Sequence, residues 1–171
     1  NCHSLVHVTL ASATEIIPAQ CFSGCSALET VSNIESVKKV EYGAFSNCTS
    51  LKKIAFAKLE EVEDGAFASC TSLLELTLPS SEKQIGRSIL NACAALEKLT
   101  MPFTSVVDTV AALGKGVPNS LKEVHLLGGT MGKHAFASCD KLERIVLSDS
   151  IKKIPDHAFA GCIKLQNVDC S

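Results

Sequence analysis

The chain has 171 residues, enough for one domain with a continuous core, and 46% of them are apolar, as in ordinary globular proteins. Its 16 basic and 18 acidic residues nearly cancel, so no electrostatic attraction to nucleic acid or to an anionic membrane is expected. There is no tryptophan and a single tyrosine, which also disfavours stacking on nucleobases. No apolar run is long enough to predict membrane insertion.

A phrase of about 23 residues recurs along the chain, most clearly as GAFSNCTSL at 43–51 and GAFASCTSL at 65–73. Seven of the nine cysteines occupy the same place in it, and a leucine follows each of them three residues later. The phrase is degenerate near 102–120, where that cysteine is missing. Periods of this size are typical of solenoids, so we predict a single domain over 1–171 with about eight repeats of 22–25 residues.

Each repeat leucine begins an LxxLxL-like segment, and the last two apolar positions of that segment lie two residues apart. This spacing predicts a short strand with one buried face. Successive strands can pair only in parallel, because the chain always enters them from the same direction. In chain order the segments begin at Leu5, Leu28, Leu51, Leu73, Leu96, Leu121, Leu142 and Leu165. Asn33 is the one polar residue in the final apolar position, which we interpret as a local irregularity.

The return path between strands is also patterned. An aliphatic residue or methionine recurs five residues before a phenylalanine or leucine, from Ile17 before Phe22 to Ile154 before Phe159. The aromatic residue, the cysteine and the leucine then follow at three-residue spacing, which predicts one face of a helical or 3₁₀ turn. Stacked repeats would align these residues in columns, and the predicted structural core comprises Phe22, Phe45, Phe67, Phe136, Phe159, Cys25, Cys48, Cys70, Cys93, Cys139 and Cys162.

The phrase AFxxCxxLxxVxL, with Pro or Ser after the strand (LTLPSS at 76–81, IVLSDS at 145–150), resembles the BspA-like leucine-rich repeat over essentially the whole chain. The resemblance implies an α/β solenoid: a right-handed superhelix with parallel strands on its concave face and short helical turns or 3₁₀ segments on the return path. It also implies attachment and protein binding, because the family is known mostly from bacterial and protist surface proteins.

The cysteines could form disulfides, hold a metal or act as reactive thiols. Their repeat position is assigned to the interior, where a small apolar residue fits, so we expect reduced core cysteines. Cys21 and Cys25 form CxxxC, but no second pair of cysteine or histidine ligands lies nearby in the sequence. We therefore expect no metal and no other cofactor.

No combination of residues typical of a catalytic site is visible in the sequence. It lacks a G-x-S-x-G elbow, an HExxH motif and a phosphate-binding glycine loop. His134 and His157 share a repeat position that Gly43 and Gly65 fill elsewhere, which indicates a solvated turn. We expect no catalytic residues and no enzymatic activity.

Strand alternation places one set of residues on the outward face, and this set is the candidate ligand-binding site. Its charges alternate in sign along the repeats, so they could instead pair with one another and fix the stacking register. The candidate residues are Lys53, Glu75, Thr77, Lys98, Thr100, Glu123, His125 and Arg144.

Two functions remain open from the sequence. The first is recognition of a protein (a host or matrix protein, or another domain of the same chain) at the cell surface or after secretion. The second is a structural spacer without its own ligand, and an enzyme comes third. Nine thiols also suit a cytoplasmic location. Neither end shows a polar capping repeat, which predicts a fragment of a longer array or an array whose ends meet other chains.

Overall fold

The computed structural model describes residues 2–79, 84–102 and 118–170 of the chain. In this part, successive repeats stack, and each contributes a strand to one long surface, here named the strand face. In chain order the strands are β1 (His7–Thr9), β2 (Ile16–Ile17), β3 (Thr30–Ser32), β4 (Lys39–Val40), β5 (Lys53–Ala55), β6 (Glu61–Val62), β7 (Glu75–Thr77), β8 (Gln84–Ile85), β9 (Lys98–Met101), β10 (Glu123–Leu126), β11 (Arg144–Leu147) and β12 (Asn167–Cys170).

The strands pair in parallel and in register, as the repeat pattern predicts. Strands β5, β7, β9, β10, β11 and β12 form a six-stranded sheet on the strand face, and β1 pairs with β3 beside it. The two-residue strands β2, β4, β6 and β8 form a second sheet on the return path. The chain is thus a parallel-strand solenoid. The degenerate repeat near 102–120 falls largely on residues 103–117, which lie outside the described residues.

The strand face is interrupted after β3, since β1 and β3 form a sheet separate from the six-stranded one. Asn33 follows β3 with φ of 60°, a left-handed conformation that turns the chain out of the strand. Its side-chain amide donates to the carbonyl of Leu10 at 3.0 Å. The irregularity expected at Asn33 therefore coincides with a change in backbone pairing.

The helical return path implied by the resemblance and by the three-residue spacing is wrong for the described residues, which contain no helix. Each complete return path there places two residues in the left-handed region, one two residues before the aromatic position and one two residues after it. The first set is Gln20, Gly43, Gly65, Ser88, His134 and His157; the second is Gly24, Asn47, Ser69, Ala92, Ser138 and Gly161.

A helix needs an unbroken run of right-handed residues, so this alternation prevents one. Isolated turns form instead, as when the N–H of Cys25 donates to the carbonyl of Phe22 at 3.0 Å. Every second N–H then points to the next repeat, and Phe22 donates to the carbonyl of Ala44 at 2.9 Å. The backbone groups of the turns are satisfied between repeats rather than within a helix.

The core consists of columns of like residues, as stacking of the repeats predicts. Phe45 lies between Phe22 and Phe67, with ring centroids 5.4 and 5.5 Å away. Phe45, Phe67 and Phe136 are fully buried, as are the repeat leucines from Leu28 to Leu142. Of the predicted core residues, only Phe22, Phe159 and Cys162 are partly buried; they lie in the outermost described return paths.

Candidate binding face

The predicted site residues lie on five neighbouring strands of the strand face. In-register pairing places Lys53 beside Glu75, Glu75 beside Lys98, and Glu123 between Lys98 and Arg144. These residues are aligned because each is the first residue of its strand, and in-register stacking places equivalent positions of successive repeats side by side. The sequence-predicted charges therefore form one continuous row.

The alternating charges pair along part of this row. Lys53 contacts Glu75 at 2.5 Å, and Lys98 contacts Glu123 at 3.2 Å. Arg144, expected to pair with Glu123, instead reaches Asp169 on β12 with a contact of 2.8 Å. Since these side chains are largely exposed, each such pair contributes about 0–1 kcal/mol to stability.

Glu123 is the most connected carboxylate of the row. Besides Lys98 it contacts Nε2 of His125, two residues along the same strand. The hydrogen bond from His125, followed by that from Lys98, lowers the pKa of Glu123. His125 also lies beside Thr100, which lies beside Thr77, so these three residues are aligned two residues further along the strands than the charged row.

A groove of about 570 Å³ runs along β7 to β12 on the strand face. One side is the charged row already described, from Glu75 to Asn167. The other side is a second row that sequence reasoning missed, formed by the residue just before each strand. Its members are Leu74, Glu97, Lys122, Glu143 and Gln166.

The second row also carries paired charges. Lys122 contacts Glu97 at 2.8 Å, and this hydrogen bond raises the pKa of Lys122. The signal was present in the sequence, because each member directly follows a repeat leucine. The period-two pattern assigns no role to that position, and only the stacked backbone shows that it faces the groove.

The repeat cysteines from Cys25 to Cys139 are buried, and several repeat cysteines donate a hydrogen bond from the thiol. The thiol of Cys48 donates to the carbonyl of Phe22 at 3.1 Å, that of Cys70 to Phe45 at 3.2 Å, and an equivalent bond leaves Cys93. Burial raises the pKa of Cys48 to about 12 and that of Cys93 to about 11. Such thiols are poor nucleophiles, because the thiolate is the reactive form.

The cysteine position therefore does more than fill space with a small apolar group. A thiol adds a weak donor for a carbonyl of the preceding repeat, which alanine could not supply. The sequence had suggested only small size as the reason for cysteine there. All nine cysteines are free in the structure.

The described residues offer neither a three-ligand metal cluster nor a membrane-spanning helix. Within 2–79, 84–102 and 118–170, no three side chains of His, Cys, Asp and Glu are grouped so as to hold a metal ion. In the same ranges no helix has the length and apolarity needed to cross a bilayer.

Comparison with solved structures finds three similar proteins. A leucine-rich repeat protein of T. pallidum is 25% identical, with a TM-score of 0.56, over 96% of this chain and 69% of its own. A leucine-rich cell surface protein from Faecalibacterium prausnitzii A2-165 is 24% identical, with a TM-score of 0.49, over 99% of this chain and 61% of its own. A leucine-rich repeat protein from Bacteroides ovatus ATCC 8483 is 18% identical, with a TM-score of 0.46, over 99% and 62%.

This chain thus spans less than two thirds of the length of the F. prausnitzii protein. No curated protein sequence matches it significantly. The family profile of the BspA-type leucine-rich repeat region matches six copies, over residues 1–111 and 120–171. Because that match covers nearly the whole sequence, the chain belongs to the BspA-type leucine-rich repeat family.

Proposed function

We propose that this solenoid is a protein-recognition module that serves attachment at the cell surface and binds through the strand face. The observation that carries the proposal is the groove between the two polar rows along β7 to β12. Leucine-rich repeat domains generally mediate protein interactions. We extend the proposal to the right-handed superhelix that the resemblance implies, with the strand face concave.

The charges of the groove indicate what kind of partner fits. Positive and negative side chains alternate in both rows, and the pairs Lys98–Glu123 and Lys122–Glu97 largely neutralise each other. We therefore do not expect the groove to attract a strongly charged partner over a long range. A protein surface would be recognised by shape, by hydrogen bonds to Thr77 and Thr100, and by exchange of partners within the ion pairs.

A surface or secreted location is part of the same proposal, with a cytoplasmic location as the alternative. Support for the surface comes from the family to which the chain belongs. Free thiols are compatible with the alternative, because reduced cysteines persist in the cytosol. Alkylation of the native protein on intact cells with a membrane-impermeant maleimide separates the two, since exposed Cys21 would be labelled only at the surface.

The test of recognition is a charge exchange, Lys98→Glu with Glu123→Lys, in the full chain. The exchange preserves the mutual attraction of the pair but reverses the pattern that a partner meets, and it places like charges beside Glu75 and Arg144. The matched control is Lys133→Glu with Asp156→Lys, an exposed pair at 3.5 Å that lies away from the groove.

Binding of the labelled chain to cultured epithelial cells and to a basement-membrane extract is the measurement, with circular dichroism to check folding. We expect the groove exchange to weaken binding at least about tenfold and the control to leave it unchanged, since an interface charge reversal costs a few kcal/mol. Equal binding by both folded variants, or no binding by the parent chain, would favour the structural spacer.

A further inference from the structure

Two histidines meet on the return path of neighbouring repeats. The rings of His134 and His157 have centroids 5.2 Å apart and planes inclined by 62°. Both residues are exposed, so their ring nitrogens are accessible from solvent. In sequence they lie 23 residues apart, which conceals the pair from any search for local metal-binding motifs.

The backbone fixes the relative position of the two residues. Both have left-handed φ values, 57° for His134 and 56° for His157. The turns that carry them are joined by hydrogen bonds between repeats, including that from Phe136 N–H to the carbonyl of Ala158 at 2.8 Å. The pair is therefore anchored to the solenoid rather than to a free loop, and only the side-chain torsions remain to be adjusted.

The separation of the rings matches a shared tetrahedral metal ion. A Zn–N bond of about 2.0–2.1 Å places each imidazole centroid about 3.2 Å from the metal. Two imidazoles bound at the tetrahedral angle then have centroids about 5.2 Å apart. The distance in the structure is 5.2 Å, so the two rings already have the separation that a shared ion requires.

We propose that His134 and His157 form a two-histidine site for zinc on the return path of the last complete repeats. Water completes the coordination, because no third protein ligand lies in place among the described residues. Lys133 and Asp156 pair with each other at 3.5 Å beside the site and contribute little net charge. The bound ion links two successive repeats and stabilises their stacking.

Titration of the full chain with zinc chloride tests the site, with the exposed Cys2, Cys21 and Cys170 alkylated beforehand so that thiols do not compete. The variants are His134→Gly and His157→Gly, which restore the residue found at Gly43 and Gly65 and so protect the turn. We expect saturable binding that each substitution weakens at least about tenfold, since even supporting residues of metal sites have effects of that size.

Histidine NMR signals provide the second measurement, with zinc expected to shift those of His134 and His157. His7, whose Nδ1 already lies 2.7 Å from Thr30 Oγ1, is the internal control, and His7→Ala should leave the affinity unchanged. Zinc binding that survives both glycine substitutions, or no saturable binding to the parent chain, would overturn the proposal.

A transplant tests whether the shared repeat position itself creates the site. Gly43→His with Gly65→His places histidines at the equivalent positions of two earlier repeats. A Cβ at Gly43 or Gly65 would meet its nearest neighbours at 3.7 and 3.9 Å, ordinary contact distances, and φ there is already left-handed. A second equivalent of bound zinc supports the proposal; an unchanged stoichiometry in the folded variant contradicts its geometric basis.

Discussion

The early and late repeats differ in the length of their strands and in whether their return paths form a second sheet. From β1 to β7 the strand-face strands have three residues, and each return path adds a two-residue strand to the second sheet. From β9 to β12 the strand-face strands have four residues, while no second-sheet strand occurs in 118–170. Both regions share the aliphatic position of the return path, so that position alone does not determine the second sheet.

A backbone donor explains part of this difference. In the second and third return paths, the residue after the aliphatic position donates its N–H to a carbonyl of the preceding return path: Glu41 to Ile17 at 3.0 Å, and Glu63 to Val40 at 2.9 Å. In the last return path the equivalent residue is Pro155, which has no N–H. The second sheet therefore cannot continue there in the same form, although Ile154 keeps the side-chain pattern.

The largest effect should come from the aromatic column, where the two regions differ in burial. Phe45→Ala removes a fully buried ring between Phe22 and Phe67, and we expect a loss of about 3–5 kcal/mol in the free energy of unfolding. Phe159→Ala should cost less, because Phe159 is only partly buried. Urea unfolding of both variants measures the difference; equal losses would contradict the burial comparison.

The second sheet of the early repeats should also be intolerant of a single added methyl group. A Cβ at Gly86 would lie 2.4 Å from the backbone nitrogen of Asp64, so we expect Gly86→Ala to destabilise by about 1–3 kcal/mol. The control is Gly65→Asn, at an open left-handed position that asparagine tolerates. This interpretation would be refuted if Gly65→Asn unfolded at a lower temperature than Gly86→Ala.

Replacing the proline of the last return path should make it resemble the early ones. Pro155→Glu restores an N–H opposite Met131, and the expected result is a new amide protected from hydrogen exchange at residue 155. The net change in stability should be small, because a hydrogen bond contributes about 0.5–1.5 kcal/mol and loss of proline rigidity removes about 0.4–1 kcal/mol. Rapid exchange at residue 155 would show that the missing donor is not the cause.

The smallest effect concerns the ion pairs of the late strand face. Because its pKa is lowered in the folded state, Glu123 stabilises the fold above its unfolded pKa, and this contribution is lost as the pH falls through the folded value. Glu123→Gln should therefore cost less than about 1 kcal/mol at pH 7. The difference from the parent chain should shrink as the pH falls below the unfolded pKa of Glu123; a difference that does not change with pH would assign another role to Glu123.

Periodicity was sufficient to predict the strands, their parallel register and the buried columns, because all three depend on which residues recur. The turn conformation was predicted wrongly as helical. Left-handed φ values can be predicted where glycine occupies the position, as at Gly43, but four of its six occupants are other residues: Gln20, Ser88, His134 and His157. The residue type at this position therefore does not predict its left-handed φ, which the hydrogen bonds to neighbouring repeats impose.

The sequence predicts the position of one of the two rows that line the groove. The charged row from Lys53 to Arg144 follows from strand alternation, which sequence shows directly. The row that includes Glu97 and Lys122 depends on how the chain bends into each strand, and a period-two pattern contains no information about that bend. The contact of His134 with His157, in contrast, agrees with the repeat position that the two residues share in the sequence.

The one-way direction of the turn N–H groups has a consequence for how such chains change length. Each turn offers donors to the repeat after it and acceptors to the repeat before it, so one join is chemically equivalent to another. Excising residues 45–66 would leave Ala44 followed by Phe67, the same Ala-Phe junction that occurs at both sites now. Whole units can thus be duplicated or removed without orphaning a polar group, which makes the number of turns freely variable in evolution and in engineering.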